Sequence, residues 1–397
     1  MLTVNGYGGR QTKENEKSWC FKGWETLDNN MQQALIVTIF TVPNFGSVLQ
    51  TYATQCVVEQ FGYKCRVLNY DHNRGEWAKG HGVPEMSFKS KVGNWLGLKA
   101  KHRKAKLLKK FVKSHIHLTS PYSTLKDMEE NEGTMYDVYI IGSDQVWNTK
   151  YTNCDPTFLL EFAHTDKKKI SIASSFACKL LDGKYIEIFR KELSKFSALS
   201  VREAHGIEIL SQLGLRNSQL VLDPTLLLSA NQWDVLRKKS LKSEKYILLY
   251  LLRYAFEPCP YIYDVLKYYQ DKLQCKIIAL EGYEGHDPYV KNLKIEDATE
   301  STISEFLDYF AQASLVVTSS FHGTTFALNY GVPLLSITPT NGDDRQSSLL
   351  EQVKLNQCRL RVNEEITHAN PFYDKEQEQI NLGKLRKESL DWIEANL

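Results

Sequence analysis

A histidine at position 322 lies between a strand-like run and a helix-like one, where a side chain can reach a bound ligand. Leu315–Thr318 has the β-branched composition of a buried parallel strand, and Phe326–Tyr330 is a helical stretch that Gly331 ends and Pro333 blocks. In open α/β sheets, ligands bind beyond the carboxyl ends of the strands, beside helix N-termini. Because an imidazole titrates near neutral pH, with a reference pKa of ~6.5, His322 is a candidate acid–base group. The alternative is a turn histidine that hydrogen-bonds the backbone.

Two further strand ends carry side chains that suit ligand binding. Arg202 follows the strand Ala198–Val201, and a guanidinium there would hold an anionic group or pair with the adjacent Glu203. The strand Tyr136–Ile141 leads into a group of hydroxyl, carboxylate, amide and indole side chains suited to a sugar: Ser143, Asp144, Gln145, Trp147 and Asn148. The alternative interpretation of Trp147 is packing in the core.

The first strand–helix junction adds polar groups at a helix N-terminus. The apolar run Ala34–Phe40 predicts a strand, and Val48–Phe61 predicts the following helix. The residues of interest between them are Asn44, Gly46 and Ser47. A dinucleotide site is not predicted, because the junction lacks the G-x-G-x-x-G pattern.

The elements that position these residues alternate between strand and helix in both halves of the chain. The pattern predicts an α/β protein with two doubly wound, Rossmann-like domains that face each other across a cleft. Residues 1–30 are polar and predict a poorly ordered leader. The expected division is an N-terminal domain at 31–228 and a C-terminal domain at 229–381, with a helix at 382–397 packing back on the first. Asp223-Pro224-Thr225 is interpreted as the approach to the hinge between them.

Composition and cysteine usage exclude several classes of protein. The chain has 49 Lys and Arg against 47 Asp and Glu, and this near balance argues against a nucleic-acid partner. Its eight cysteines form neither a C-x-x-C pair nor a cluster with histidine, which predicts reduced thiols in the cytoplasm and no metal site. Residues 1–30 lack the apolar core of a signal peptide, and no run is long enough to span a membrane. No cofactor is expected.

One segment departs from the overall charge balance. Leu98–Lys113 predicts a helix that carries eight Lys or Arg and no acidic residue. It is either a solvated helix whose apolar face, formed by Leu98, Ala105, Leu108 and Val112, packs on the core, or a peripheral contact with anionic lipid headgroups or a phosphate-bearing acceptor.

Together these stretches resemble the polysaccharide pyruvyl transferase family. The resemblance is carried, in order along the chain, by Asn44–Gln50, Ile141–Asn148, Ser200–Glu203, Leu222–Thr225, Ser319–Thr324 and Gly331–Pro333. It implies a glycosyltransferase-B-like fold and the transfer of pyruvate from phosphoenolpyruvate to hydroxyls of a sugar, which gives a pyruvyl ketal. The acceptor would be a bacterial surface polysaccharide, such as a capsule or exopolysaccharide, or its lipid-linked precursor. Such an enzyme would work in the cytoplasm, at or near the inner face of the membrane.

The resemblance also implies roles for individual residues. Arg202 would bind the anionic groups of the donor, and His322 would be the acid–base residue. Ser320, Gly323 and Thr324 would complete the donor site. Characterised members carry arginine two residues before the histidine, where this chain has Ser320, so we expect Arg345, at the end of the polar loop 341–345, to supply the missing charge.

Three alternatives stand beside this interpretation. A sugar-nucleotide-dependent glycosyltransferase would have the same architecture, because a fold does not fix its chemistry. A non-catalytic sensor would keep the cleft without the full donor clamp. A nucleic-acid-binding protein would use the basic helix.

Overall fold

The computed structural model describes residues 31–81, 95–240, 244–253, 256–281, 290, 293–340 and 345–397, with side chains described from residue 102 onward in the helix that begins at Trp95. The predicted leader at 1–30 and most of the loop at 341–345 lie outside the described residues. Two parallel sheets organise the described chain, and the strands of the first all precede those of the second in sequence.

The first sheet has five parallel strands in the order β3-β2-β1-β4-β5. Their bounds are β1 Gln33–Val37, β2 Lys64–Tyr70, β3 Leu118–Tyr122, β4 Val138–Ile141 and β5 Lys168–Ser171. A short parallel pair, β6 Leu199–Val201 and β7 Ser218–Leu220, continues the sheet beyond β5 through bridges from Ile170 and Ser174. Apart from the exposed Gln33 at the start of β1, the central strands β1 and β4 are buried, which explains their apolar sequences.

The second sheet has six parallel strands in the order β10-β9-β8-β11-β12-β13. Their bounds are β8 Tyr246–Tyr250, β9 Lys276–Glu281, β10 Ile295–Asp297, β11 Leu315–Thr318, β12 Leu334–Thr338 and β13 Arg359–Arg361. Both sheets therefore share the strand order of a doubly wound fold, with the order reversing beside the first strand of each.

Fourteen helices are described around the two sheets. They are α1 Phe45–Gln60, α2 Glu76–His81, α3 Trp95–His115, α4 Leu125–Glu132, α5 Thr149–Thr152, α6 Ile186–Leu193, α7 Ala204–Gln212, α8 Pro224–Leu227, α9 Ala230–Trp233, α10 Tyr261–Leu273, α11 Ile303–Gln312, α12 Phe321–Tyr330, α13 Arg345–Gln352 and α14 Lys375–Asn396. The protein is thus an α/β protein with two Rossmann-like units, as its sequence predicts.

The last helix joins the two halves of the molecule. Although α14 follows the second sheet, the carbonyl oxygen of Leu397 accepts hydrogen bonds from Tyr63 Oη at 2.6 Å and Lys168 Nζ at 2.7 Å, both in the first half. Ser389 Oγ accepts from the backbone N–H of Leu222 at 3.0 Å. The segment after β7 contains α8, so Thr225 lies in a helix between the two sheets. The domain limits at 228 and 381 remain predictions.

Candidate active site

His322 lies in the first turn of α12, not in a turn that precedes the helix. The predicted helix started at Phe326, five residues later than the observed one, because the capping signal was overlooked. Ser320 is the N-cap, and its Oγ accepts a hydrogen bond from the backbone N–H of Gly323 at 3.2 Å. The helix N-terminus therefore holds His322, whose side chain is only 7% exposed.

The imidazole of His322 lies directly against the start of α1, which belongs to the first half of the chain. Asn44 caps α1, with its Oδ1 accepting from the backbone N–H groups of Gly46 at 2.7 Å and Ser47 at 3.4 Å. A β-carbon at Gly46 would stand 2.8 Å from the β-carbon of His322 and closer still to its ring atoms Cγ and Nδ1. Glycine is therefore required at position 46 by the approach of the histidine ring.

Asp223 connects His322 to the rest of the site. Its Oδ2 accepts hydrogen bonds from Ser143 Oγ at 2.7 Å and Arg202 Nη1 at 2.8 Å, and lies 3.7 Å from Nε2 of His322. Burial alone would raise the pKa of this carboxyl group. The proximity of His322 and the charge of Arg202 outweigh burial and hold that pKa well below its usual range.

The sequence analysis missed this role of Asp223. It assigned the Asp-Pro-Thr stretch to a hinge approach, whereas Asp223 also caps α8 by accepting from the backbone N–H of Thr225 at 3.0 Å. The signal available in the sequence was an N-cap aspartate at the end of a predicted strand, and that signal alone does not identify the partners.

Arg202 is wholly buried and surrounded by acidic groups. Besides Asp223, its guanidinium faces Oδ1 of Asp144 at 3.5 Å and Oε2 of Glu203 at 3.9 Å, and it stands 4.4 Å from the ring centroid of Phe321. Burial would lower the pKa of this guanidinium, and the three carboxylates raise it instead. Of the two predicted arrangements, an open anion clamp and an ion pair, the structure contains the ion pair.

Asp144 links the loop after β4 to α1. Its Oδ2 accepts a hydrogen bond from Ser47 Oγ at 2.6 Å, and its backbone has φ = 74°, a left-handed conformation that is uncommon for residues other than glycine. Burial would raise its pKa, but the charges of Arg202 and His322 and the Ser47 hydrogen bond lower it. Asp144, Ser47 and Asn44 therefore lie together, as their strand-end positions predict.

The remaining residues of that loop serve structure more than ligand contact. Trp147 is 1% exposed, donates its indole N–H to the carbonyl of Phe158 at 3.0 Å and packs against Phe176 with 5.0 Å between ring centroids. This corrects its proposed place in a sugar site, because neither its N–H nor its ring faces the cleft. Gln145 accepts from Asn148 Nδ2 at 2.8 Å, and Asn148 caps α5.

Arg345 brings a second guanidinium to the site from the start of α13. Its guanidinium carbon lies 5.9 Å from the ring centroid of Phe321, and its charge helps to lower the pKa of Asp144. Within the described part of the chain, no carboxylate is within ion-pair distance of Arg345; residues 343 and 344, which were considered as pairing partners, lie outside it. Ser348 on the same helix accepts from the backbone N–H of Ala204 at 2.9 Å, which places α13 beside the loop of Arg202.

The other residues assigned to the donor site make internal contacts. Thr324 Oγ1 is 3.0 Å from Ser336 Oγ, and a β-carbon at Gly323 would meet Tyr250 at 3.0 Å and Thr318 closer still. These contacts fix α12 against β11 and β12. Gly323 and Thr324 thus hold the helix that carries His322.

Two residues that the sequence did not point to, His72 and Tyr151, lie near enough to the site for its charged groups to affect their pKa values. His72 is buried beyond β2, and burial lowers its pKa against the opposing effect of Asp71 and Asp144. Burial raises the pKa of Tyr151, which the charge of Arg345 counteracts. Neither residue has a motif around it, so only the tertiary structure reveals its position.

The arrangement suits proton transfer beside a bound anion. A carboxylate 3.7 Å from Nε2 of His322 attracts the imidazolium whenever that ring is protonated, and it orients the ring for exchange with a ligand. Among the described residues, no group of three or more His, Cys, Asp or Glu side chains is placed to hold a metal ion. No described helix combines the length and apolar character needed to cross a bilayer.

A comparison with protein families identifies the family of the chain. The family model for polysaccharide pyruvyl transferase matches residues 44–341, which is more than half of the chain. The chain belongs to the polysaccharide pyruvyl transferase family. Membership makes it a relative of transferases that act on polysaccharide. The match covers every site residue described above except Arg345, which follows it by four positions. No curated protein matches the chain.

Solved structures resemble the fold at low sequence identity. The S. aureus MnaA–UDP co-structure has a TM-score of 0.50 and 10% identity, covering 88% of this chain and 94% of that one. UDP-GlcNAc 2-epimerase from Methanocaldococcus jannaschii has a TM-score of 0.48 and 14% identity, covering 88% and 98%. The glycosyltransferase SnogD from Streptomyces nogalater has a TM-score of 0.44 and 11% identity, covering 90% and 95%. The first likeness agrees with the glycosyltransferase-B-like architecture of the family.

Proposed function

We propose that this protein transfers pyruvate from phosphoenolpyruvate to hydroxyls of a sugar and forms a pyruvyl ketal. The acceptor is a bacterial surface polysaccharide, such as a capsule or exopolysaccharide, or its lipid-linked precursor in the cytoplasm. Family membership supports polysaccharide pyruvylation in general. The observation that carries the specific proposal is the pair of His322 and Asp223 between the two sheets, with Arg202 and Arg345 beside it.

The reaction needs one group that both gives and takes a proton. His322 donates a proton to the methylene carbon of phosphoenolpyruvate, which makes the adjacent carbon electrophilic. A sugar hydroxyl attacks that carbon and returns a proton to the imidazole. Phosphate then leaves, a second hydroxyl attacks the same carbon, and its proton departs with the phosphate. One phosphate is released for each ketal formed, and the pair with Asp223 keeps the ring oriented through both proton transfers.

The charges of the site indicate that an anionic donor needs a cation other than Arg202. Asp144, Glu203 and Asp223 present three carboxylates to the single guanidinium of Arg202, so this residue alone leaves no positive charge for an anionic donor. Arg345 is the further cation, since it shares the Phe321 ring with Arg202 and has no carboxylate within ion-pair distance in the described chain. We therefore assign the donor's phosphate or carboxylate to Arg345 and the N-terminus of α12, whose backbone dipole favours negative charge.

A second candidate is sugar-nucleotide-dependent glycosyl transfer. The S. aureus MnaA–UDP co-structure contains UDP on a similar fold, and the three carboxylates around Arg202 favour a donor that needs fewer cations. Both functions would use the cleft between the two sheets, so the released product separates them.

The test is a donor comparison with purified protein. Polysaccharide freed of ketals by mild acid is incubated with phosphoenolpyruvate or with a panel of nucleotide sugars, and free phosphate and nucleotide are measured. We expect phosphate release from phosphoenolpyruvate that depends on the acceptor, with a mass gain of one pyruvate less one water. His322→Gln should lower kcat by ~10²–10⁴-fold with an unchanged melting temperature. Nucleotide release without phosphate release would replace the proposal with glycosyl transfer.

A further inference from the structure

Two basic residues of helix α3, Arg103 and Lys104, hold the two halves of the molecule together. Arg103 Nη1 is 2.9 Å from Oε2 of Glu300, and Lys104 Nζ is 2.6 Å from Oε2 of Glu281 at the end of β9. Lys104 is buried and also lies 4.6 Å from the ring centroid of Phe45. These two cations are therefore committed to contacts within the protein.

The next two turns present a different face. This face carries four exposed lysines at helical spacings of three, four and seven residues: Lys106, Lys109, Lys110 and Lys113. Together with Ser114 they line one open depression. Leu108 and Val112 point the other way, into the core. No described carboxylate lies within ion-pair distance of any of these four lysines, and α3 contains no acidic residue that could pair with them along the helix.

Four neighbouring lysines on one helix face repel one another, so an ordinary solvated surface is a poor explanation of this cluster. Like charges three or four residues apart destabilise a helix, and each lysine of this face has such a neighbour. An exposed helix is normally stabilised by acidic residues at those spacings, as Lys267 and Asp271 illustrate on α10. The lysine face therefore has an unfavourable self-interaction that an anionic partner would reverse.

We propose that the lysine face, Lys106, Lys109, Lys110 and Lys113, binds the anionic surface of a phospholipid bilayer. The row spans only ~10 Å at 1.5 Å per residue, and lipid headgroups move laterally to meet such a compact cluster. A nucleic-acid surface is disfavoured, because the aromatic residue of this segment, Phe111, packs against the core and offers no ring for base stacking.

If the proposed function is correct, on which this step rests, a bilayer bound at the lysine face would be placed to deliver a lipid-linked acceptor. Lys104, two residues before the face, covers Phe45, and Phe45 precedes the glycine that contacts the His322 ring. Helix α3 would therefore lie between the bilayer and the start of α1, with the bilayer about one helix diameter, roughly 10 Å, from that element. A sugar acceptor carried on a lipid would then reach the site without leaving the membrane surface.

Vesicle co-sedimentation of the full-length protein tests the contact without donor or acceptor. Vesicles of phosphatidylcholine alone and of equal parts phosphatidylcholine and phosphatidylglycerol are compared at low and physiological salt. Wild-type protein should bind only the anionic vesicles, and salt should release it. Since each lysine near an anionic surface contributes about 1 kcal/mol, each Lys→Gln change should weaken binding about fivefold and the fourfold variant several hundredfold.

A charge-matched control isolates the position of the lysines from their number. It changes four exposed lysines elsewhere, none of which forms an ion pair in the described chain: Lys79→Gln, Lys179→Gln, Lys238→Gln and Lys384→Gln. This control should keep most of the vesicle binding. Equal loss in both variants, or no binding of wild-type protein to anionic vesicles, would overturn the proposal. So would tighter binding to a short DNA duplex than to the vesicles at the same salt. Because activity is not read out, a failed donor assay leaves this result intact.

Discussion

Replacing Gly46 by alanine tests the contact that brings the two halves of the site together. The new methyl group would stand 2.8 Å from the β-carbon of His322, against an ordinary carbon–carbon separation of about 3.5–4.0 Å. The overlap with the ring atoms is larger still. Helix α12 cannot easily retreat, because a β-carbon at Gly323 already has no room beside Thr318 and Tyr250. The site must therefore widen, or the imidazole must turn away from Asp223.

The expected cost follows from these distances. Overpacking of this kind destabilises a protein by about 1–3 kcal/mol. A catalytic group displaced by about 1 Å lowers the rate by roughly 10²-fold. Gly46→Ala should therefore lose about 1–3 kcal/mol in urea unfolding and roughly 10²-fold in kcat.

The design includes a double change and a matched control. In the His322→Gly background both the ring and its β-carbon are absent, so adding Gly46→Ala should cost less than about 0.5 kcal/mol. Gly383→Ala is the control, because nothing lies within 4 Å of a β-carbon there, and it should be neutral or slightly stabilising. Wild-type stability and kcat in Gly46→Ala would refute the contact. A destabilisation that persists without His322 would show that the methyl group clashes with something else.

Three further expectations follow from the charges of the structure. Arg345→Ala should raise KM for phosphoenolpyruvate by about 10–100-fold, because it removes a charge-assisted hydrogen bond to the donor. The control, Arg361→Ala at an exposed position, should leave KM unchanged. Equal KM values for the Arg345→Ala variant and the wild type would show that Arg345 is not part of the donor site. Asp223→Asn should lower kcat and, unlike His322→Gln, should also destabilise the fold, because it takes a carboxylate from the buried Arg202; a variant with normal urea unfolding would contradict this. Burial raises the pKa of Glu378 to about 7, so the folded state favours the neutral form of its carboxyl group. The contribution of Glu378 to the free energy of unfolding should be fully present below pH ~4.5 and should be lost as the pH rises through 7, by up to about 3 kcal/mol. Urea unfolding between pH 4 and pH 8 should show Glu378→Gln gaining on the wild type as pH rises, and parallel curves would contradict the assignment.

Sequence patterns predicted the strands well where burial on both faces forces a continuous apolar run. The strand Leu315–Thr318 has the bounds that its pattern indicates. The strand Leu118–Tyr122 was missed, because it is an edge strand with a proline and polar residues and so lacks that signature. The helix start at Phe321 was misplaced because the hydroxyl cap at Ser320 was not recognised.

The chemistry of the site was predictable only in outline. Strand-end positions bring Asn44, Ser47, Asp144 and Arg202 together, since the carboxyl ends of parallel strands share one edge of a sheet. Pairing of Arg202 with the adjacent Glu203 was one of the predicted arrangements, but the approach of Asp144 and Asp223 was not predictable, because both come from distant segments and local sequence carries no record of their distances.

Transfer of isotope from phosphoenolpyruvate to sugar is the most direct test of the central claim. The protein is incubated in D₂O with donor labelled with ¹³C at the carbon that bears the phosphate, together with ketal-free polysaccharide, and the product is followed by NMR. The account predicts that the label becomes a carbon bonded to two sugar oxygens, beside a methyl group carrying one deuterium, and that His322→Gln forms little of it. Donor that stays intact while the acceptor gains a sugar from a nucleotide sugar would contradict the account.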